Sequence, residues 1–123
     1  MILADTAVWI DHLGRGDPIL AALLSDGRVL MHPYVLGEIA MGSLRARAAI
    51  VGRLRRLPQV RLIQADDLLT FVDLHSLYGT GIGYVDAHLL ASVMLAPGAQ
   101  LWTRDKRLLA AAERLGVAAK PVN

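Results

Sequence analysis

Four acidic residues lie at positions from which their carboxylates could meet in one pocket: Asp5, Glu38, Asp86 and Asp105. Asp5 and Asp105 each follow a short apolar run and precede a segment with a helical pattern. Glu38 and Asp86 interrupt apolar helical segments, and no lysine or arginine lies within one helical turn of either. A carboxylate in such surroundings needs a cation or a hydrogen-bonding partner. A shared divalent metal ion would supply that charge.

Helix capping is the alternative interpretation for Asp5 and Asp105. A short acceptor side chain at a strand-to-helix junction satisfies free backbone N–H groups and complements the helix dipole. Taken singly, each aspartate fits that role. In open parallel α/β sheets, however, ligands bind beyond the carboxyl ends of the strands, and both residues are expected to point into that crevice.

Apolar runs alternate with amphipathic stretches along the chain, which predicts an α/β fold with a central parallel β-sheet flanked by α-helices. The predicted strands are residues 2–4, 28–31, 60–63 and 100–102, and residues 117–119 form either a short last strand or a tail. Predicted helices cover residues 6–13, 44–57, 67–78 and 106–113, with Asp66 as the cap of the third. Three further helices are predicted: one starts at Pro18 after the cap Asp17, one starts at Pro33, and one carries Asp86. At 123 residues the chain fits one domain, residues 1–123.

The composition excludes several classes of protein. With no cysteine, the chain has no disulfide, no thiolate catalysis and no cysteine-ligated metal. It shows no export segment and no apolar stretch long enough to span a bilayer, so we expect a cytoplasmic protein without a membrane partner. Hydrophobic residues make up 54% of the sequence. That share is high for a small domain, so some apolar surface is expected to be buried against a partner.

Basic residues are concentrated between Glu38 and Asp66, an interval without any acid. It contains the arginines at positions 45, 47, 53, 55, 56 and 61, of which Arg45, Arg47, Arg53, Arg55 and Arg56 are the candidate contacts for RNA or a partner. Arginine suits phosphate because its planar fork donates two hydrogen bonds and keeps its charge. The alternatives are a solvated helical face, or a face that pairs with an acidic protein.

Other chemistry has weaker support. The four histidines lack a His-x-x-x-His spacing, and the serines lack a nucleophile-elbow context. The glycine-rich residues 79–83 lack the Gly-Lys-Ser/Thr ending of a nucleotide loop, so we interpret them as a tight turn before the helix of Asp86. A signalling receiver domain would need an acidic pair after the first strand and an acid in mid-chain, whereas Asp5 is alone and residues 39–65 contain none.

Four segments resemble motifs of the PIN-domain family, specifically the ribonuclease toxins of VapBC toxin–antitoxin pairs. Residues 2–10 resemble the family's first motif, and Glu38 falls in its acidic helix. Residues 81–91 closely resemble the third motif, and residues 101–108 match the fourth. Each piece alone occurs by chance, but four in order over nearly the whole chain are specific.

The resemblance implies that Asp5, Glu38, Asp86 and Asp105 are the catalytic and metal-binding acids. Asp5 and Asp86 would be the principal ligands of Mg²⁺ or Mn²⁺. Thr6 and Thr103 would support the acids through their hydroxyls, although either hydroxyl could instead cap a helix or bond the backbone.

The implied activity is that of a toxin that acts as a metal-dependent endoribonuclease, in which a metal-activated water cleaves RNA and leaves 5′ phosphates. The implied partners are the RNA substrate and a VapB-like antitoxin that inserts an arginine among the carboxylates. The apolar excess fits a homodimer in addition. The alternative is a PIN module that binds RNA or an antitoxin with negligible cleavage.

Overall fold

A three-stranded parallel sheet lies at the centre of the computed structural model, which describes residues 1–120. Its strands are β1 (Ile2–Ala4), β2 (Val29–Leu30) and β3 (Gln100–Trp102). Their order is β2-β1-β3, so the first strand is central and the strand order reverses beside it. Leu3 on β1 lies opposite Leu30 on β2 and Leu101 on β3. The carboxyl ends of all three strands therefore meet at one edge of the sheet.

Within residues 1–120 the chain forms seven helices, of which six connect the strands and the seventh follows β3. They are α1 (Thr6–Arg15), α2 (Pro18–Ser25), α3 (Pro33–Ala40), α4 (Arg47–Arg55), α5 (Ala65–Leu74), α6 (Tyr84–Leu95) and α7 (Lys106–Arg114). The predicted α/β fold with a helix-flanked parallel sheet is confirmed; the last three positions of the predicted domain, 1–123, lie outside the described residues. None of the helices in the described part of the chain is long and apolar enough to cross a membrane.

Local sequence determines where the first helices begin and end. Asp17 caps α2, as predicted, because its Oδ1 accepts hydrogen bonds from the backbone N–H groups of Ile19 (2.9 Å) and Leu20 (3.1 Å). Pro18 occupies the first turn of that helix, where its missing N–H costs nothing. Helix α1 extends two residues beyond the predicted end and stops at Gly16, whose φ of 83° is accessible to glycine without strain.

The predicted strand at residues 60–63 is wrong. At this edge only Gln59 forms a β-bridge, to Met31, flanked by two backbone hydrogen bonds of 2.8 Å that join Met31 to Pro58 and Val60. Beyond Val60 the chain leaves the sheet, because the carbonyl of Arg61 accepts a hydrogen bond from Ser92 Oγ on α6 (2.7 Å). On the opposite edge, the predicted strand or tail at residues 117–119 adds one parallel bridge, from Ala118 to Leu101.

Two predicted helix boundaries are also corrected. The helix expected from residue 44 begins only at Arg47, because Ala46 adopts a left-handed conformation with φ 50°. Asp66 does not cap α5: the helix begins at Ala65, two residues before the predicted start, and Asp66 lies in its first turn. That helix ends at Leu74 rather than near residue 78, and Ser76 just beyond it has a φ of 52°.

The core lies on both faces of this sheet. Leu3 and Leu101 are fully buried at its centre, and Val8 of α1 and Leu108 of α7 pack with them in the same cluster. Helix α6 is buried from Ala87 to Val93 and forms a second, smaller cluster against α5. Both kinds of packing hold α1, α6 and α7 close to the edge where the strands end.

Candidate acidic site

Asp5 joins β1 to α1 and is almost completely buried, with 7% of its surface exposed. Its backbone N–H donates to the carbonyl of Trp102 on β3 (3.0 Å), which fixes it at the end of the sheet. Its Oδ1 accepts from the backbone N–H of Val8 (3.3 Å), so Asp5 caps α1. Its Oδ2 accepts a hydrogen bond from the hydroxyl of Thr103. Asp5 therefore caps a helix and also lies at the carboxyl ends of the strands, where the site was predicted.

Thr103 and Asp105 form the equivalent junction between β3 and α7. The Thr103 hydroxyl accepts from the backbone N–H of Asp105 (3.1 Å) while it donates to Asp5. Asp105 Oδ1 accepts from the backbone N–H of Leu108 (2.9 Å), so it caps α7. Because Thr103 is 94% buried, its hydroxyl is held in this double role and links the two aspartates.

Glu38 reaches the same region from α3. The hydroxyl of Thr6, in the first turn of α1, donates to Glu38 Oε1 (2.7 Å). Glu38 is itself exposed, so this hydrogen bond is what orients its carboxylate toward α1. Each predicted hydroxyl support thus contacts one of the predicted acids.

Asp86 enters from the first turn of α6 and is half-buried. Burial raises the pKa of Asp86, and the negative charges of Asp105, Asp5 and, more weakly, Glu38 raise it further. A backbone hydrogen bond from Gly83 acts in the opposite direction. These charges act on Asp86 because all four carboxylates line the same cleft.

All four acids line one cleft, together with Thr6, Ala7 and Leu89. It opens at the carboxyl ends of the strands, beside the point where strand order reverses, which is where open α/β sheets bind ligands. A larger groove lies elsewhere, between α5 and α6, but it is mainly apolar and Asp67 is its only acid. The four candidate catalytic carboxylates therefore lie in the smaller cleft.

The donor set of this cleft fits a hard divalent cation, because its ligand atoms are all oxygens and carry like charges that repel without a counterion. Among residues 1–120, no three acidic or histidine side chains stand in a ready-made ligand cluster. One reason is visible in the caps, since an oxygen of Asp5 and one of Asp105 already accept backbone N–H groups. A bound ion would draw in the remaining oxygens.

The candidate arginines do not share one face. All are exposed, but at about 3.6 residues per turn Arg55 points to the side of α4 opposite Arg53, while Arg56, just after the helix, lies nearer the side of Arg53. Arg47 folds back, and its Nε donates to the carbonyl of Ala40 at the end of α3 (2.7 Å). Arg53 instead borders an apolar groove with Trp9 of α1.

Two features near the site were missed from the sequence. Arg104, between Thr103 and Asp105, pairs with Asp11 of α1 and with Asp17 at the start of α2 (3.0 Å), and so ties the β3–α7 junction to both helices. The second feature is a group of packed rings between α3 and α6, formed by His32, Tyr34, Tyr84 and His88. Their sequence spacing carried no signal, because the contacts are made across the fold.

Residues 2–114 match the family model of the PIN domain, and the chain belongs to the PIN-domain family. Within it, the similarity is to VapC proteins. The chain is 48% identical over 118 residues to Ribonuclease VapC32 of Mycobacterium tuberculosis, in strain H37Rv and in strain CDC 1551 / Oshkosh. The alignment covers 96% of this chain and 95% of each relative, so the similarity extends over the whole fold.

Proposed function

We propose that this protein is the toxin of a type II toxin–antitoxin system and acts as an Mg²⁺- or Mn²⁺-dependent endoribonuclease. The observation that carries the proposal is the convergence of Asp5, Glu38, Asp86 and Asp105 on one cleft, where burial and then the charges of the other three acids raise the pKa of Asp86. The similarity to proteins named Ribonuclease VapC32 adds the substrate class. We propose a cytoplasmic location, where RNA substrates are available.

Asp5 and Asp86 would be the principal metal ligands, and Glu38 and Asp105 would position metal-bound waters or a second ion. When bound, the metal activates water for attack on a phosphodiester and stabilises the leaving 3′ oxygen, which leaves 5′ phosphates on the products. The raised pKa of Asp86 fits this role, because a cation relieves the repulsion that disfavours its charged form.

The two threonines would hold the acids in place rather than touch the RNA. Thr103 restrains one oxygen of Asp5, and the Val8 N–H restrains the other. Thr6 does the same for Glu38. Both acids are therefore oriented before any ligand arrives, which lowers the cost of organising them around an ion.

We propose the exposed residues Arg45, Arg47, Arg53, Arg55 and Arg56 as contacts to RNA or to a protein partner. The partner we propose is a VapB-like antitoxin whose arginine enters the carboxylate cleft and competes with the metal ion. Arginine suits this role because it can form two parallel hydrogen bonds to a carboxylate.

We also propose a homodimer formed through the apolar groove between α5 and α6. Its lining includes Leu62, Leu74 and Leu95, whose exposed fractions of 44%, 74% and 60% are high for large apolar side chains. Light scattering tests this surface. Leu74→Glu should shift the protein to monomer, whereas Met41→Glu, at an 88% exposed position outside the groove, should not. A monomeric wild type would overturn the dimer.

The activity is tested with purified protein, freed of any co-purifying partner, incubated with total cellular RNA and Mg²⁺ or Mn²⁺. Asp5→Asn is the critical variant, because the amide oxygen can still cap α1 while the charge is lost. Asp73→Asn, at an exposed acid on α5 outside the cleft, is its matched control. Discrete cuts with 5′ phosphates are expected from wild type and Asp73→Asn, and none from Asp5→Asn or in EDTA.

The second candidate is a PIN module that binds RNA or an antitoxin with negligible cleavage. It is favoured by the absence of a ready-made three-ligand cluster among residues 1–120. Calorimetric titration with Mn²⁺ combined with the cleavage assay separates the two candidates. A folded protein that binds Mn²⁺ but cuts none of a varied set of RNAs would favour the binding module.

A further inference from the structure

Arg107 lies in the first turn of α7, two residues after Asp105, and its side chain packs on the loop that precedes α6. A Cβ added at Gly81 would lie 2.7 Å from Arg107 Nη1 and 3.0 Å from its Cζ, so the arginine would have to shift to make room for it. Gly81 also has a φ of +86°, which side-chain-bearing residues rarely adopt. In its present position the guanidinium therefore rests directly on the backbone of Gly81, in space that a side chain at residue 81 would take.

The guanidinium has no acidic partner among the described residues. Ion pairs there involve Arg15 and Arg104, which use Asp11 and Asp17. Asp105 is near Arg107 in the chain, but its Oδ1 accepts the N–H of Leu108. Arg107 is also exposed, so its donors remain available to a ligand.

The loop beneath Arg107 leads directly to Asp86. At the far end of this loop, a Cβ at Gly83 would lie 3.9 Å from Asp86 Oδ2. Two residues of chain span at most about 7 Å, so the guanidinium and the carboxylate flank one short loop. A free cation is thus held at the rim of a cleft whose own side chains are negative.

A phosphodiester approaching this cleft is repelled by the carboxylates until a cation offsets them, and RNA carries further phosphates on either side of the bond to be cut. We propose that Arg107, cradled by Gly81, binds the phosphate next to the scissile one and aligns the RNA across the cleft. This inference rests on the proposed ribonuclease function. It adds a contact outside the arginine-rich stretch of residues 45–61.

The test compares Arg107→Ala with Arg114→Ala, an exposed arginine at the other end of α7 that also forms no ion pair in the described residues. The substrate is a short RNA that contains one mapped cleavage site. Arg107→Ala should lower kcat/KM about tenfold, as expected for loss of a charged hydrogen bond. Arg107→Lys should fall between, because lysine keeps the charge without the planar fork. Arg114→Ala should stay near wild type.

A second substrate assigns the effect to one phosphate. It carries an uncharged methylphosphonate in place of the phosphate next to the scissile bond, on each side in turn. On one of these RNAs, wild type and Arg107→Ala should cleave equally fast. A defect of the same size on every RNA would mean that Arg107 acts on the fold, and would overturn the proposal.

The outcomes also separate this inference from the function on which it rests. If wild type cleaves no RNA, the proposed function fails and the contact fails with it. If wild type cleaves and Arg107→Ala matches Arg114→Ala on the unmodified RNA, only the Arg107 contact is overturned. Thermal denaturation of each variant checks that the fold is intact.

Discussion

Replacement of His32 should remove a large part of the protein's sensitivity to mild acid. His32 is fully buried at the start of α3, where its Nδ1 accepts the backbone N–H of Tyr34 (2.9 Å). Its Nε2 has no partner among residues 1–120. Burial, and secondly the neighbouring His88, lower the pKa of His32 from 6.5 to about 4. The fold therefore holds the neutral ring.

The sign and size of the effect follow from these two pKa values. Between pH 6.5 and pH 4 the unfolded chain binds a proton that folded His32 does not. The free energy of unfolding therefore falls as the pH is lowered through that window and recovers as it is raised. Across the whole window, the free energy of unfolding changes by about 3 kcal/mol. Between pH 7 and pH 5 it amounts to about 2 kcal/mol, or roughly 8 °C in Tm for a domain of this size.

His32→Asn is the matched variant, because asparagine is a good N-cap and does not titrate. Thermal denaturation of both proteins, followed by circular dichroism from pH 7.5 to pH 4.5, gives the comparison. Both carry the same carboxylates, so their titration cancels in the difference. The wild type should lose about 2 kcal/mol more than His32→Asn between pH 7 and pH 5. Parallel stability curves would refute the reasoning, because they would show that His32 titrates equally in both states.

Three further predictions concern the cleft and the core. Asp86→Asn should abolish cleavage and raise Tm at pH 7, because the raised pKa of Asp86 means that its ionisation destabilises the fold. The gain in Tm should vanish near pH 4, and a lower Tm of the variant at pH 7 would contradict the prediction. Thr103→Val should lower the free energy of unfolding by about 1–3 kcal/mol, and it should reduce cleavage because the Asp5 carboxylate is no longer held. Thr103→Ser keeps the hydroxyl, so it should retain the stability of the wild type in denaturation and its activity on RNA. Leu101→Ala, at a fully buried position on β3, should lower the free energy of unfolding in urea by about 2–5 kcal/mol, while Met41→Ala should leave it almost unchanged.

Much of the fold could be predicted because its signals are local. The cap at Asp17 and the helix start at Pro18 depend on neighbouring backbone groups, and the structure agrees with both. Residues 60–63 were mispredicted because an apolar run does not specify whether its backbone finds a strand partner. Here the carbonyl of Arg61 bonds a side chain of α6, 31 residues away, and nothing within the run indicates that contact.

The acids were predictable for a different reason. Asp5 and Asp105 stand at strand ends, and parallel strands bring their carboxyl ends to one edge, so topology alone places them together. The threonines that support the acids could be predicted, but which threonine bonds which acid could not. That the Thr103 hydroxyl donates to Asp5, in addition to accepting from the N–H of Asp105, depends on the register of β1 against β3. The contact between Arg107 and Gly81 could not be predicted, because it joins one glycine and one arginine from separate segments of the chain.

The hydroxyl of Thr103 joins residues 98 positions apart, and β1 pairs on one side with a strand that begins at residue 100. During synthesis, the first two acids emerge from the ribosome long before Thr103 and Asp105. A nascent chain therefore cannot assemble the cleft until Thr103 and Asp105 have emerged as well. If the proposed activity is correct, the timing of translation keeps each new molecule inactive until the segment that carries these two residues has emerged and folded.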